Sequence, residues 1–245
     1  MISIGFIPAR LNSTRLPNKA LLKIDGLPMI IHTLKRTQLS KKLDDVYVCT
    51  DSSLIIDVVE SYGGKAILTS KNHKNGTERI NEGSKNFKFD LCVDIQGDEP
   101  FVDPKHIDKV IDFHLKNFNF DIIVPHLEFT SPERPNIVKI TKDKKNRVIN
   151  MSRSIIPYPF ANKPKMYLKH LSIVSFKPSA IRKFCQLPVS DLEKIESIEL
   201  LRAIENQMKV GTFKLKGDSF SIDIKEDFQK AKGQMKNDKI REIYK

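Results

Sequence analysis

The sequence predicts an α/β fold built on an open, mostly parallel sheet with helices on both faces. Three observations predict it. Short β-branched runs alternate with helical periodicities through the first half of the chain. Gly and Pro signals separate them. Polar clusters recur where the strands end, and ligands of such sheets gather at the strands' carboxyl ends.

Residues 2–8 (Ile-Ser-Ile-Gly-Phe-Ile-Pro) form an apolar first strand. Asp25-Gly26 marks a turn, and Pro28 opens a helix with Ile30, Ile31, Leu34 and Leu39 on its apolar stripe. Val46–Thr50 is a second strand, followed by a helix over 53–62 that Gly63-Gly64 stops. Ala66–Leu68 is a third strand, with a helix from about Glu78 to Lys88. Leu91–Ile95 is a fourth strand, with a helix from Pro104 to about Phe118, and Asp121–Pro125 is a fifth.

From Ser131 the rhythm changes. Ile137–Thr141 and Val148–Met151 predict a hairpin around the turn Asp143–Asn146. Leu168–Phe176 predicts one strand, Pro178–Cys185 and Asp191–Gln207 two helices, and Val210–Leu215 a strand. A last helix begins at Lys225. The organisation expected is one domain over 1–245, with an inserted subdomain at about 130–180.

Composition narrows the classes. The chain has 245 residues, of which 40% are hydrophobic, enough for a buried core. No apolar run approaches the roughly 20 residues that span a bilayer, so no membrane partner is expected. The opening Met1–Ile7 has no basic lead-in and no small-residue cleavage site, and so predicts a strand rather than a signal peptide. Cys49, Cys92 and Cys185 are odd in number and widely spaced, which excludes a disulfide framework or zinc pattern. A reducing cytoplasm is the expected compartment. The six histidines lack metal-ligand spacing. The formal charge of +12 suits anionic small substrates. It rests on scattered lysines with no aromatic interleaving, and no nucleic-acid partner is expected.

Four strand or helix ends carry polar clusters. Pro8-Ala9-Arg10-Leu-Asn-Ser13-Thr-Arg15-Leu-Pro-Asn-Lys19 follows the first strand and sets three cations among hydroxyls and backbone amides. Such a loop wraps a triphosphate, or is simply solvated; it is not a Walker loop. Asp51 closes the second strand. Gln96-Gly97-Asp98-Glu-Pro100 closes the fourth, where a carboxylate holds a hard cation over phosphates or caps the helix at Pro104. Asp223 precedes the last helix as a cap or a second metal ligand.

Together these segments resemble the CMP-Kdo synthetases (3-deoxy-manno-octulosonate cytidylyltransferases). The resemblance runs in order through Pro8-Ala-Arg10…Ser13-Thr-Arg-Leu-Pro-x-Lys19, His73-x-x-Gly76-Thr-Glu-Arg79 and Gln96-Gly-Asp98-Glu-Pro100. It continues through Pro135-Asn-x-Val-Lys139, Ser152-Arg153-x-x-Ile-Pro157, Lys169-His170-Leu, Leu192-Glu-x-Ile-Glu196, Leu201-Arg202 and Asp223-x-x-Glu-Asp227. It implies a Rossmann-like nucleotidyltransferase fold with a smaller dimerisation subdomain, and a homodimer. It also implies transfer of CMP from CTP to an acidic sugar, Kdo, for lipopolysaccharide or capsule synthesis.

By the same resemblance, Arg10 and Lys19 bind the CTP phosphates, with Pro8, Ala9, Ser13 and Arg15 in the same loop. Asn75, Gly76, Arg79, Gln96 and Gly97 belong to the nucleotide site. Asp98 and Asp223 hold Mg2+, and Arg153, His170 and Glu196 face the sugar acid. Two positions depart from the pattern: Val174 stands where the family carries a Tyr, and Leu200 where it carries a Gln. Both changes remove a polar sugar contact, and a site lacking a hydrogen-bonding partner favours a different substrate. The alternatives are therefore another acidic sugar, such as 8-amino-Kdo or a nine-carbon ulosonic acid, or a non-catalytic nucleotide-binding protein on the same fold.

Overall fold

The computed structural model describes residues 1–13, 16–218 and 221–244. They fall into two compact units, Met1–Lys109 with Ser219–Lys245, and Val110–Asp218.

The first unit begins with β1 (Ser3–Ala9), buried along its whole length. A 3-10 turn at Lys19–Leu21 leads to the small hairpin β2 (Lys23–Ile24) and β3 (Leu27–Pro28). Its tip is Asp25-Gly26, both with positive φ (46° and 82°), as a two-residue hairpin turn requires. Then come α1 (Met29–Gln38), β4 (Asp45–Thr50), α2 (Ser53–Ser61), β5 (Lys65–Leu68), α3 (Gly76–Gly83) and β6 (Leu91–Ile95). The strands pair in the order β6-β1-β4-β5, all parallel. Phe6, Ile7, Val48, Val93 and Ile95 are buried in this sheet, and Ile30, Ile31, Leu34, Ile55, Val59 and Ile80 are the buried helix positions. The strand–helix alternation expected from sequence is therefore present, and α1, α2 and α3 flank the sheet.

α4 (Pro104–Lys116) follows, capped by Asp103, whose Oδ1 accepts from the amide of Lys105 at 2.8 Å. The second unit contains β7 (Ile122–Ile123), β8 (His126–Phe129), β9 (Lys139–Lys142), β10 (Val148–Ser152), β11 (Tyr167–His170) and β12 (Ile173–Phe176). It continues with α5 (Pro178–Gln186), α6 (Asp191–Glu196), α7 (Leu200–Glu205) and β13 (Val210–Gly211). β10-β9-β11-β8 form a four-stranded antiparallel sheet; β7 pairs with β12 antiparallel and with β13 parallel.

The chain closes in the first unit with α8 (Lys225–Met235) and a 3-10 turn at Arg241–Tyr244. Ile222, Ala231 and Met235 pack with Ile24 and Met29, and Phe101 and Phe228 line that cluster. Arg36, buried on α1, donates to the carbonyl of Val102 at 3.2 Å and pairs with Asp238.

Several expected boundaries are corrected. The helix expected over 78–88 is α3, which starts earlier because Asn75 caps it and ends at Gly83. The strand expected over 168–176 is two strands in different sheets, broken at Leu171-Ser172. The helix expected over 191–207 is α6 and α7, broken where Ser197 adopts a positive φ of 53°. The strands expected over 121–125 and 210–215 shrink to two residues each, and β8 has no counterpart in the expected set.

Candidate active site

In the first unit, three segments far apart in sequence converge on one ammonium. Lys19, on the 3-10 turn after β1, donates through Nζ to Asp98 Oδ2 at 2.7 Å and to the carbonyl of Ile222 at 2.8 Å. Its Nζ also lies 3.5 Å from Asp223 Oδ1. The amide of Ile222 donates in turn to the carbonyl of Asp98 at 3.0 Å. The sequence therefore folds so that β6 and the approach to α8 present two carboxylates to one cation. Neither has the role of helix cap left open above. Asp103 caps α4, and Asp227 Oδ2 accepts the amides of Asp223 and Ile224 at the start of α8.

Gly97 makes this approach possible. A Cβ there would stand 2.6 Å from the carbonyl oxygen of Pro8, so the β6 loop can pass the end of β1 only without a side chain. Beside it, Gln96 Nε2 donates to both carboxylate oxygens of Asp94 at 2.9 Å. A carboxylate only accepts, so this fixes the amide, with its carbonyl oxygen as the acceptor it offers elsewhere. Asn75 caps α3, accepting from the amide of Glu78 at 2.8 Å. Gly76, at the first turn of α3, lies against Pro8 and Gln96. Pro8 and Ala9 are the buried end of β1, Arg10 is exposed, and Ser13 is partly buried. Arg15 lies outside the described residues. Arg79 is buried: it donates to Thr69 Oγ1 at 2.6 Å, to the carbonyl of Ser70 at 3.2 Å and to Asp51 Oδ2 at 3.1 Å.

The second unit gathers Arg153 and Glu196. Arg153 donates through Nε to the carbonyl of Glu196 at 2.6 Å, and through its terminal nitrogens to the carbonyls of Pro135 (3.1 Å) and Ser197 (3.2 Å). The break between α6 and α7 frees the Glu196 and Ser197 carbonyls for this contact. The Glu196 carboxylate accepts Ser152 Oγ at 2.6 Å and the amide of Arg153 at 2.9 Å. The Lys139 side chain is wholly buried and donates to the carbonyls of Arg134 and Ile137 at 2.9 Å and to that of Arg153. Burial lowers its pKa, reinforced by Arg153. His170 ends β11 opposite His126 of β8, and burial lowers both rings to a pKa of about 4. Val174 and Leu200 are both buried.

A family model described as Cytidylyltransferase matches residues 4–210. The chain belongs to the cytidylyltransferase family. This cytidylyltransferase is 39% identical, over 94% of its length and 97% of the relative's, to a 3-deoxy-manno-octulosonate cytidylyltransferase of Thermodesulfovibrio yellowstonii. It is 34% identical, over 94% and 96% of the two chains, to an 8-amino-3,8-dideoxy-manno-octulosonate cytidylyltransferase of Shewanella baltica. A solved structure of CMP:2-keto-3-deoxy-manno-octonic acid synthetase complexed with CTP matches with a TM-score of 0.93. The identity there is 30%, over 97% of this chain and 99% of that one. The protein is a nucleotidyltransferase with a Rossmann-like fold.

The donor set of this cytidylyltransferase fits magnesium. Magnesium takes one or two carboxylates plus phosphate oxygens and water, and Asp98 and Asp223 already share one positive charge. Among the described residues no group of three or more His, Cys, Asp or Glu could hold a metal. The sequence reading missed Asp94 and assigned no role to Lys139. Asp94 lies on β6 two residues before Gln96, which follows the strand end, so the i, i+2 spacing was the signal available for their contact. Nothing local in the sequence foreshadows the three carbonyls that Lys139 collects.

Proposed function

We propose that this chain transfers the cytidylyl group of CTP to the anomeric hydroxyl of 3-deoxy-D-manno-octulosonate, releasing pyrophosphate. The observation that carries the reading is the convergence of Asp98, Asp223 and Lys19 in a member of the cytidylyltransferase family. The anomeric oxygen forms a bond to the α-phosphorus. The bond from that phosphorus to the oxygen bridging to the β-phosphate breaks, and pyrophosphate leaves with its electron pair. The hydroxyl proton passes to solvent. Such transfer rests on positioning and charge neutralisation, which is what the site's residues supply.

Arg10 and Lys19 offset the charge that builds on the leaving pyrophosphate. Lys19 exchanges Asp98 for phosphate oxygen as nucleotide enters. Asp98 and Asp223 would hold Mg2+, which supplies Lewis-acid polarisation of the phosphate and a lowered pKa for the attacking hydroxyl. Gln96, fixed by Asp94, offers its carbonyl to a donor on the nucleotide, and Asn75, Gly76 and Gly97 shape that side of the site. Arg153 has five N–H donors, and the two not engaged by carbonyls pair with the sugar carboxylate. His170, neutral at pH 7, hydrogen-bonds the sugar without adding charge. Glu196 holds the Ser152-Arg153 backbone in place for that contact.

The subdomain at about 130–180 is proposed as the sugar-binding and dimerisation region, its partner a second copy of this chain. Tyr158 and Phe160 there are 75% and 93% exposed, with Ile149 and Met166 also exposed, an apolar set that association would cover. Cys49, Cys92 and Cys185 form no disulfide among the described residues, and the first two are buried, which suits a reducing cytoplasm, where the product would feed lipopolysaccharide or capsule synthesis. The test is mass spectrometry of products formed from CTP, magnesium and a panel of sugar acids. A CMP conjugate of Kdo supports the reading. A conjugate of 8-amino-Kdo or a nine-carbon acid alone moves the substrate, and makes Val174 and Leu200 the residues to revert.

A further inference from the structure

Asp51 directly follows β4 beside the end of β1, with Ala9 paired to Thr50 in the parallel register. Its two carboxylate oxygens go to different segments. Oδ1 accepts the amide of Leu11 at 3.3 Å, the first residue after Arg10 in the phosphate loop. Oδ2 accepts Arg79 Nη2 at 3.1 Å. Arg79 stands one turn into α3 from Asn75 and Gly76, and its other donors take Thr69 and Ser70 at the end of β5. Thr69 is fastened in turn to the carbonyl of Thr50, through its hydroxyl at 3.0 Å and its amide at 2.8 Å. The Arg79 and Asp51 side chains are 4% and 15% exposed, so water competes weakly for the pair.

We infer that Asp51 is a positioning residue that holds the phosphate loop and helix α3 of the nucleotide site in one register for CTP. The inference rests on the nucleotide reading above. A pair that merely fastened strand ends would affect stability alone. A carboxylate that divides its oxygens between two ligand-bearing segments affects the affinity for the ligand that touches both. Asp51→Ala orphans the Leu11 amide and leaves Arg79 without its counter-charge. Asp51→Asn keeps the shape but turns an NH2 group toward one of the two donors, so it too breaks one link with little change in packing.

The test is steady-state kinetics and CTP titration calorimetry on both variants. The expected result is a KM and Kd for CTP raised about tenfold, with kcat changed less than about threefold and the KM for the sugar acid unchanged. A lowered melting temperature with unchanged CTP affinity overturns the inference. Hydrogen exchange on the unaltered protein tests it without any variant: CTP should slow exchange in 11–13 and 76–79 together. Slowing in one segment alone, or in neither, overturns it. If the unaltered protein binds CTP but turns over no sugar acid, the catalytic reading fails while the exchange result still judges Asp51.

Discussion

Gly97 and Asp98 are adjacent residues with separable roles. A Gly97→Ala Cβ would press on the Pro8 carbonyl, which is backbone and cannot swing away. The expected cost is about 1–3 kcal/mol, read as a lower midpoint in denaturant titration, together with loss of turnover as the β6 loop shifts. Asp98→Ala removes no packing, and Lys19 keeps the Ile222 carbonyl and Asp223. That variant should melt within a few degrees of the parent yet lose pyrophosphate release; a folded Asp98→Ala enzyme with the parent's rate would remove the metal assignment. Lys19, Asp98 and Asp223 stood out in sequence as charged residues near element ends, and the family resemblance grouped them; their convergence is what the fold adds. Asp51 was visible as a strand-end acid but its contacts were not, since its partners lie 40 and 28 positions away. The extended use of the Arg153 guanidinium on backbone carbonyls was invisible for the same reason.

At the scale of elements, the parallel strands were legible because buried β-branched runs leave few other readings. The second unit was less so. Its strands are two to five residues long, and apolar runs such as 168–176 change sheet midway, which no periodicity signals. The break between α6 and α7 is stabilised by tertiary bonds: Arg153 on the freed carbonyls, and Arg202 of α7 on Glu193 of α6 through two bonds of 2.7 and 2.6 Å. Arg202 also lies over the Phe184 ring. Arg202→Met should cost about 3–5 kcal/mol, because it strands a buried carboxylate, and thermal melts read the loss directly. His114 links α4 to β12 through Ser175 Oγ at 2.8 Å, and burial lowers its pKa to about 4, as it does for His126. These rings stay neutral in the folded chain, whereas in the unfolded chain they titrate near 6.5. Their contribution is complete above about pH 6.5 and is lost as pH falls toward 4. Melting temperatures should therefore drop over that window, and His114→Asn should flatten the drop.

For the molecule as a whole, the charge of +12 suits the nucleoside triphosphate and sugar acid proposed as its substrates. Raising ionic strength should lower kcat/KM for CTP more than it lowers kcat, as expected for steered association of an anion. The exposed Tyr158 and Phe160 predict a dimer by light scattering at micromolar concentration, and Phe160→Glu should shift it toward monomer. The fold class was readable before any coordinates because strand, helix and turn signals agreed along the first half of the chain. The inserted subdomain expected at about 130–180 lies within the unit Val110–Asp218, whose first limit falls inside α4, where no linker composition marks it. The most direct test of the account is the initial rate of pyrophosphate release from CTP and magnesium with and without Kdo. Release that requires both Kdo and Asp98 is the predicted result. CTP binding with no release on any sugar acid would contradict it and leave a nucleotide-binding protein on a cytidylyltransferase fold.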